Sequence, residues 1–200
     1  MITKNKLEIL NLFRRNIFLK ISILQLAKEL GKSYPKIYNA VKELEKDKVV
    51  KSEKIGNSNI ISVELNSEAI LELSYLDEQE SLSKKIPNIN KILDFKEFLD
   101  DIILVTGSYA SNKQTPKSDI DLVIITKDDP FKKQKLIDNI TSLFIPKIHP
   151  IVISYKDFIE MLLDSKENYG KEIFKNKLLF RNSRRYYELI KEAIKNGFRG

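Results

Sequence analysis

The composition of this 200-residue chain excludes several classes of protein. It has a net charge of +7, 42% hydrophobic residues and no cysteine, which excludes disulfides, thiolate metal sites and cysteine nucleophiles. No stretch approaches the roughly 18 uninterrupted apolar residues of a membrane helix, and charged residues interrupt the N-terminal segment where a signal peptide would be apolar. We therefore expect a cytoplasmic protein with no membrane partner.

The positive charge is concentrated at the start of the chain. Residues 1–66 hold 13 Lys or Arg against 7 Asp or Glu, whereas residues 67–200 hold 22 against 21. The two parts therefore carry +6 and +1 of the net charge. This asymmetry indicates that the first third meets a polyanion, although a generally lysine-rich surface is an alternative explanation.

Apolar spacing and cap residues predict three helices and a β-hairpin in residues 1–66. Ser22 and Ser33 are the predicted N-caps of the second and third helices, and Gly31 closes the second one. Two short apolar segments then bracket a polar turn over residues 51–59. This order of elements is typical of a winged helix-turn-helix domain.

In a winged helix, the third helix enters the major groove of double-stranded DNA and the hairpin touches the backbone. We expect these contacts from polar and basic side chains on the outer side of the third helix and in the turn. The predicted DNA-binding residues are Ser33, Tyr34, Lys36, Tyr38, Asn39, Lys42, Lys51 and Lys54. Winged helices also dock proteins or dimerise, and this alternative stays open.

A connecting helix is predicted after the hairpin. Its predicted N-cap is Ser67, and Pro87 stops the helical pattern. Such a helix could also pair two copies of the chain as a homodimer. The sequence therefore predicts a winged-helix domain over residues 1–66, a connector helix over 67–87 and a second domain over 88–200.

The second domain contains a Gly-Ser pair and two aspartates in a pattern that indicates a metal-dependent nucleotide site. Gly107 and Ser108 follow one apolar run, and Asp119 and Asp121 precede another. Because side chains alternate along a strand, the two carboxylates share one face about 7 Å apart and could hold a divalent cation. Hard oxygen ligands select Mg²⁺ or Mn²⁺.

The Gly-Ser pair is suited to binding phosphates. Gly107 has no side chain, so a triphosphate can approach its backbone closely. Ser108 adds a hydroxyl, and a helix that begins there would direct free N–H groups at the same phosphates. ATP or another nucleoside triphosphate is therefore the expected substrate.

The segments Gly107–Ala110 and Pro116–Leu122 resemble the DNA polymerase beta-like nucleotidyltransferase superfamily, and most closely its minimal nucleotidyltransferase branch. The resemblance covers roughly residues 90–200 and implies a mixed sheet flanked by helices, hence an α+β fold for the whole chain. The site residues that it implies are Gly107, Ser108 and Ser118 for nucleotide binding, and Asp119 and Asp121 for catalysis and for binding two metal ions.

The resemblance also implies an activity, which is transfer of a nucleoside monophosphate, AMP from ATP, to a hydroxyl acceptor. Small members of this group resemble the antitoxin halves of toxin–antitoxin pairs, some of which nucleotidylate a HEPN-type partner protein. A partner protein is therefore one acceptor to expect, although no residue of the chain selects it.

Two departures from the family pattern support a second hypothesis. Ser111 and Asn112 replace the frequent Arg-Gly, although Asn tolerates the left-handed backbone of such a turn. The strand expected to carry a third carboxylate, residues 147–153, has no acid. His149 lies near that position, as a weak metal ligand, a proton acceptor or an ordinary strand residue. The alternative function is a transcriptional regulator whose degenerate nucleotidyltransferase domain only binds nucleotide.

Overall fold

The structure, a computed structural model, describes residues 3–200, so the first two residues of the predicted N-terminal domain lie outside it. The fold is α+β, as predicted. The chain forms two compact units that divide between Leu76 and Asp77. This division falls inside one helix, where the sequence had suggested a separate connector. Every helix within residues 3–200 is too short or too polar to cross a bilayer.

The first unit contains three helices and a small antiparallel sheet. The helices are α1 (Lys4–Arg15), α2 (Ile23–Glu29) and α3 (Tyr34–Lys46), and the strands are β1 (Ile21–Ser22), β2 (Val50–Ile55) and β3 (Ser58–Val63). The sheet order is β1-β3-β2. Helix α4 (Ser67–Ser83) begins in this unit. The predicted order of three helices and a hairpin is therefore present, and β1 is an addition to it.

The hairpin turn is shorter than the sequence indicated. Strands β2 and β3 pair from Val50 opposite Val63 to Ile55 opposite Ser58, which leaves two residues for the turn instead of the predicted 51–59. Gly56 supplies the left-handed conformation that a two-residue turn needs, with φ 58°. The two strands extend beyond their apolar residues into exposed, polar positions. The apolar pattern in the sequence therefore marked only part of each strand.

Two of the predicted helix caps differ from what the structure contains. The Ser22 hydroxyl accepts from Gln25 N at 3.2 Å in a capping box, as expected of an N-cap. Ser33 occupies the N-cap position of α3, but its side chain makes no cap hydrogen bond. At α4 the cap is Asn66, whose Oδ1 accepts from Ala69 N at 2.9 Å, and the prediction of Ser67 was wrong by one residue.

The second unit is built on a four-stranded mixed sheet. Its strands are β4 (Ile102–Thr106), β5 (Ile120–Thr126), β6 (Ile148–Ser154) and β7 (Leu178–Arg181), in the order β6-β5-β4-β7. Its helices are α5 (Ile89–Leu93), α6 (Gly107–Ala110), α7 (Pro130–Thr141), α8 (Tyr155–Leu163), α9 (Tyr169–Lys175) and α10 (Ser183–Lys195), with a 3₁₀ turn at Lys96–Phe98. Strands β5 and β6 are parallel, and β4 is antiparallel to both β5 and β7.

The two central strands of this sheet, β4 and β5, are buried on both faces, so their ends are held in fixed positions. Ile120, Leu122 and Ile124 alternate along β5 and pack in a core with residues of α5, α7 and the 3₁₀ turn. Val123 and Ile125 point to the opposite face and are also fully buried. Helices α8 and α10 contact the strands of the sheet. Apolar residues on both faces are typical of a strand in the middle of a layered fold.

The contrast between the two serine caps gives a test of this description. Ser22→Ala should destabilise α2 by about 1 kcal/mol, because it removes the hydrogen bond to the N-terminal turn. Ser33→Ala should change the stability of α3 by less than about 0.5 kcal/mol, because no cap bond is lost. Native-state hydrogen exchange of the amides in each helix measures the two effects separately. Equal losses would contradict the cap assignment.

Candidate functional site

The strand register brings the predicted catalytic residues together at one end of the strands. Asp121 lies opposite Thr106 of β4 on one side and opposite His149 of β6 on the other. Asp119 precedes β5 by one residue, and its Oδ2 lies 3.2 Å from His149 Nε2. The structure therefore places the two aspartates, His149 and the Gly107 turn together, as the local pattern indicated.

Gly107 makes room for Asp121. Its φ is 67°, a conformation that L side chains rarely adopt. A Cβ at this position would lie only 2.1 Å from Asp121 Oδ2 and 3.1 Å from Cγ of the same residue. Any side chain at residue 107 would therefore displace the carboxylate. The glycine is required for this close approach as well as for its backbone conformation.

The carboxylate of Asp121 carries its charge at a cost. Burial raises the pKa of Asp121 above its ordinary value, His149 acts in the opposite direction, and the neighbouring Asp119 raises the pKa further. A carboxylate that is partly withdrawn from water and next to a second one favours a bound cation, because the cation replaces the lost hydration.

The turn after Gly107 keeps the backbone shape expected of it despite the change in sequence. Ser111 N and Ser111 Oγ donate to Gly107 O at 3.1 and 3.0 Å, and Lys113 N donates to Ser108 O at 2.9 Å. Asn112 has φ 55°, so the expected tolerance of Asn for a left-handed backbone is confirmed. Ser111 and Asn112 therefore close this turn without the Arg-Gly pair.

Ser118 is occupied within its own loop. Its hydroxyl accepts from Thr115 N at 2.9 Å, and its N–H donates to Thr115 O at 3.0 Å. These bonds form a tight turn directly before Asp119. The structure thus gives Ser118 a role in shaping the loop that delivers Asp119, and its predicted role in nucleotide binding stays a prediction.

Two residues near the site could not be predicted from the sequence. Tyr169 begins α9, and burial together with the charges of Asp121 and Glu172 raises the pKa of its phenol to about 12. Asn176 follows α9, and its Nδ2 donates to Gly107 O at 3.0 Å. Both lie far from the Asp-x-Asp segment along the chain, so no local spacing connects them to it.

The donor groups fit a cation that arrives with a nucleotide. Among residues 3–200, no group of three or more His, Asp or Glu side chains is arranged to hold a metal ion by itself. Two carboxylates are nevertheless sufficient for Mg²⁺, which is commonly held by one or two carboxylates plus substrate phosphates. The imidazole of His149 is a softer donor than the oxygens that Mg²⁺ and Mn²⁺ prefer, so the two carboxylates are the main candidates to hold the cation.

Residues 86–191 match the model of the nucleotidyltransferase domain family. The chain belongs to this family. The match covers more than half of the chain and contains every residue of the site described above. Nucleotide transfer is the activity that such a domain implies. No curated protein and no solved structure matches the chain.

The predicted DNA-binding residues lie in the first unit and are almost all exposed. Ser33 precedes α3, which carries Tyr34, Lys36, Tyr38, Asn39 and Lys42, whereas Lys51 and Lys54 lie on β2. Tyr38 is half-buried and its ring stacks on that of Tyr34 at 5.9 Å between centroids. Lys42 Nζ pairs with Glu45 at 2.7 Å, and Lys51 pairs with Glu64.

A double-mutant cycle tests the contact between Gly107 and Asp121. Gly107→Ala should cost about 2 to 5 kcal/mol of stability, from the left-handed backbone and the clash with the carboxylate. In an Asp121→Ala background the clash is absent, and the cost should fall to about 1 to 2 kcal/mol. Urea unfolding of the four proteins gives the coupling energy.

Gly31→Ala provides the control for this cycle. Gly31 has φ 61°, but a Cβ there would meet nothing within 4 Å. Its cost should therefore be the backbone term alone and should not change when Asp121 is replaced. Zero coupling between Gly107 and Asp121 would mean that the carboxylate moves aside without loss.

Proposed function

We propose that the second unit is a metal-dependent nucleotidyltransferase that transfers AMP from ATP to a hydroxyl acceptor. The observation that carries this proposal is the arrangement of Gly107, Asp119 and Asp121 at one edge of the mixed sheet, inside the segment that matches the family. A glycine turn for phosphates and paired carboxylates for cations are the two parts that this chemistry requires.

The residues of the site have different roles in such a transfer. The backbone of Gly107 and Ser108 faces the phosphates, and Asp119 and Asp121 hold the divalent cations. When bound, the cations supply charge neutralisation for the leaving pyrophosphate and activation of the acceptor hydroxyl. The acceptor oxygen forms a bond to the α-phosphorus, the bond to the bridging oxygen breaks, and pyrophosphate leaves.

We assign His149 as the base that accepts the proton of the acceptor hydroxyl. Its Nε2 lies 3.2 Å from Asp119 Oδ2, so the imidazole stands directly beside the carboxylates that would hold the cations. An imidazole next to a reacting hydroxyl is a common base for proton transfer.

The exposure of the site supports a large acceptor. The side chains of Asp119 and His149 are 46% and 48% exposed, so an acceptor hydroxyl can approach them on the surface of another molecule. A hydroxyl of a partner protein, as in toxin–antitoxin pairs, is therefore our preferred acceptor. A small-molecule hydroxyl is the other outcome to be tested.

One observation supports the alternative function of a nucleotide-binding regulator. The residue of β6 that lies opposite Asp121 is His149, at the place where a polymerising relative would need a third acid. A site with two carboxylates and an imidazole can bind a nucleotide and its cation without completing the transfer. Binding without transfer would identify this function.

Transfer is tested with ATP labelled at its α-phosphate, in Mg²⁺ or Mn²⁺, with and without cell lysate. The wild type should transfer label to a macromolecule, whereas Asp119→Asn combined with Asp121→Asn should abolish transfer because no carboxylate remains to hold a cation. The control with the same charge change is Asp94→Asn combined with Asp100→Asn, since both residues are exposed, and it should retain the wild-type rate.

The position of the label distinguishes the outcomes. Label from γ-labelled ATP should not be transferred, because the terminal phosphates leave as pyrophosphate. Saturable binding of ATP without transfer would favour the nucleotide-binding regulator. Neither binding nor transfer by the wild type would overturn both functions.

We also propose that residues 1–66 form a winged helix that binds double-stranded DNA. The charge balance of +6 in this segment supports the proposal, as does the exposure of Tyr34, Lys36 and Asn39 on α3. Lys54 lies exposed on the hairpin, close to its turn. In the described part of the chain, Lys36 and Lys54 have no acidic partner within 4 Å, in contrast to Lys42 and Lys51.

Lys36→Ala combined with Lys54→Ala should weaken DNA binding and flatten its salt dependence. Each lost phosphate contact lowers the slope of log K against log salt by about 0.9, so the double variant should lose about 1.8. Fluorescence anisotropy with duplex DNA over a salt series measures the slope. Lys4→Ala combined with Lys28→Ala removes two lysines outside α3 and the hairpin, and an equal effect there would contradict the proposed surface.

A further inference from the structure

The turn between β4 and α6 is held by a residue far from it in sequence. Asn176 lies between α9 and β7, the strand that pairs with β4. Its Nδ2 donates to Gly107 O at 3.0 Å, and its own carbonyl accepts from Thr106 Oγ1 at 2.7 Å. Asn176 thus binds both residues of the turn, one through its side chain and the other through its main chain.

The bond to Gly107 O determines where the next N–H points. Because the peptide bond is planar and trans, the carbonyl of Gly107 and the N–H of Ser108 point in opposite directions. A group that holds the carbonyl therefore also sets the direction of that N–H. Ser111 binds the same carbonyl, but it belongs to the turn and moves with it, whereas Asn176 anchors the turn to another element.

Glycine makes such an anchor necessary. Gly107 has no Cβ to restrict its backbone, so many conformations compete with the one at φ 67°. In this conformation the turn passes close to the Asp121 carboxylate, since a Cβ in place of the Gly107 hydrogen would lie 2.1 Å from Asp121 Oδ2, and a change in its backbone would alter that contact. Thr106 as a residue is 1% exposed, and its hydroxyl bonds to Asn176, which is partly buried. A hydrogen bond with a buried partner is hard to replace.

We propose that Asn176 is a positioning residue of the nucleotide site, which acts through Gly107 to direct the Ser108 N–H at the phosphates. The inference rests on the proposed function, because it assumes that a nucleoside triphosphate binds at this turn. Asn176 is not assigned a contact with the nucleotide or with a cation. Its loss should therefore weaken nucleotide binding without removing the carboxylates that hold the metal.

A second asparagine supplies a matched control. Asn182 lies directly after β7, and its Nδ2 donates to Leu99 O at 3.0 Å and to Asp101 O at 2.8 Å. It therefore anchors the chain that enters β4, whereas Asn176 anchors the chain that leaves it. Asn182→Ala removes two side-chain hydrogen bonds in the same unit, where Asn176→Ala removes one, and does so at the end of β4 that is far from Gly107.

The experiment measures binding of an ATP analogue with a methylene group in place of the α,β-bridging oxygen, in MgCl₂, by isothermal titration calorimetry. Asn176→Ala should weaken this binding about tenfold, the lower end of the loss seen when a group that orients a metal ligand is removed. Asn182→Ala should leave the affinity unchanged within about twofold. Thermal unfolding of both variants checks that each is folded at the temperature of the titration.

A spectroscopic measurement separates positioning from general destabilisation. The ¹H–¹⁵N resonance of Ser108, recorded without nucleotide, should shift in Asn176→Ala and not in Asn182→Ala. Thr106→Val keeps the shape of the side chain and removes the other bond to Asn176, so it should weaken binding in the same direction. Its effect should be less than additive with Asn176→Ala, because both remove one anchor.

Each result decides the inference. Tenfold weaker binding and a shifted Ser108 resonance in Asn176→Ala alone would support it. Wild-type affinity in Asn176→Ala and in Thr106→Val, or an equal loss in Asn182→Ala, would overturn it while leaving the proposed function intact. A wild-type protein that does not bind the analogue would overturn the proposed function and this inference together.

Discussion

The close approach of Gly107 to Asp121 is the constraint on which the site depends. A carboxylate can occupy this place only because residue 107 has no Cβ, which would otherwise lie 2.1 Å from its oxygen. The same approach partly withdraws Asp121 from water, and burial raises its pKa. Packing and electrostatics are therefore coupled. The geometry that positions the carboxylate also makes its ionised form less stable when no cation is bound.

The sheet holds the two residues in this arrangement. Ile120 and Leu122 flank Asp121 along β5 and are fully or almost fully buried, and Thr106 lies opposite it on β4 with 1% exposure. Asp121 cannot move without disturbing a strand that is packed on both faces. The functional groups thus lie at the end of rigid elements, where small shifts are resisted, and the loops that follow can vary without moving them.

The sequence predicted the parts of the site that are local. Gly107 directly follows β4, and Asp121 lies in β5, the next strand along the chain and its antiparallel neighbour. Their spacing along the chain therefore reflects their contact in space. Asn176 and Tyr169 reach the same site from the far end of the unit, through the pairing of β7 with β4 and the packing of α9. These residues become neighbours of Gly107 and Asp121 only when the chain is folded. A single Asn or Tyr at a helix end forms no sequence pattern from which that contact could be predicted.

In the first unit, too, the sequence predicted the elements that have a local pattern and missed those that do not. Its helices were predictable because apolar residues recur at helical spacing along a buried face, as at Ile37, Val41 and Leu44 of α3. The hairpin was predicted too short, because its strands are exposed and paired mainly through their backbones. Lys54 and Asn59 face each other across it, and polar residues of this kind are indistinguishable from a loop in sequence.

The two parts of the chain meet anions in physically different ways under these proposals. Residues 1–66 carry an excess of six positive charges, enough to attract a polyanion directly, whereas residues 67–200 are almost neutral at +1. In the second unit a triphosphate would approach two carboxylates, and this repulsion must be offset by divalent cations. Nucleotide affinity should therefore depend on the cation, while binding of DNA should depend on monovalent salt. The two dependences arise from separate residues, so each can be changed without the other.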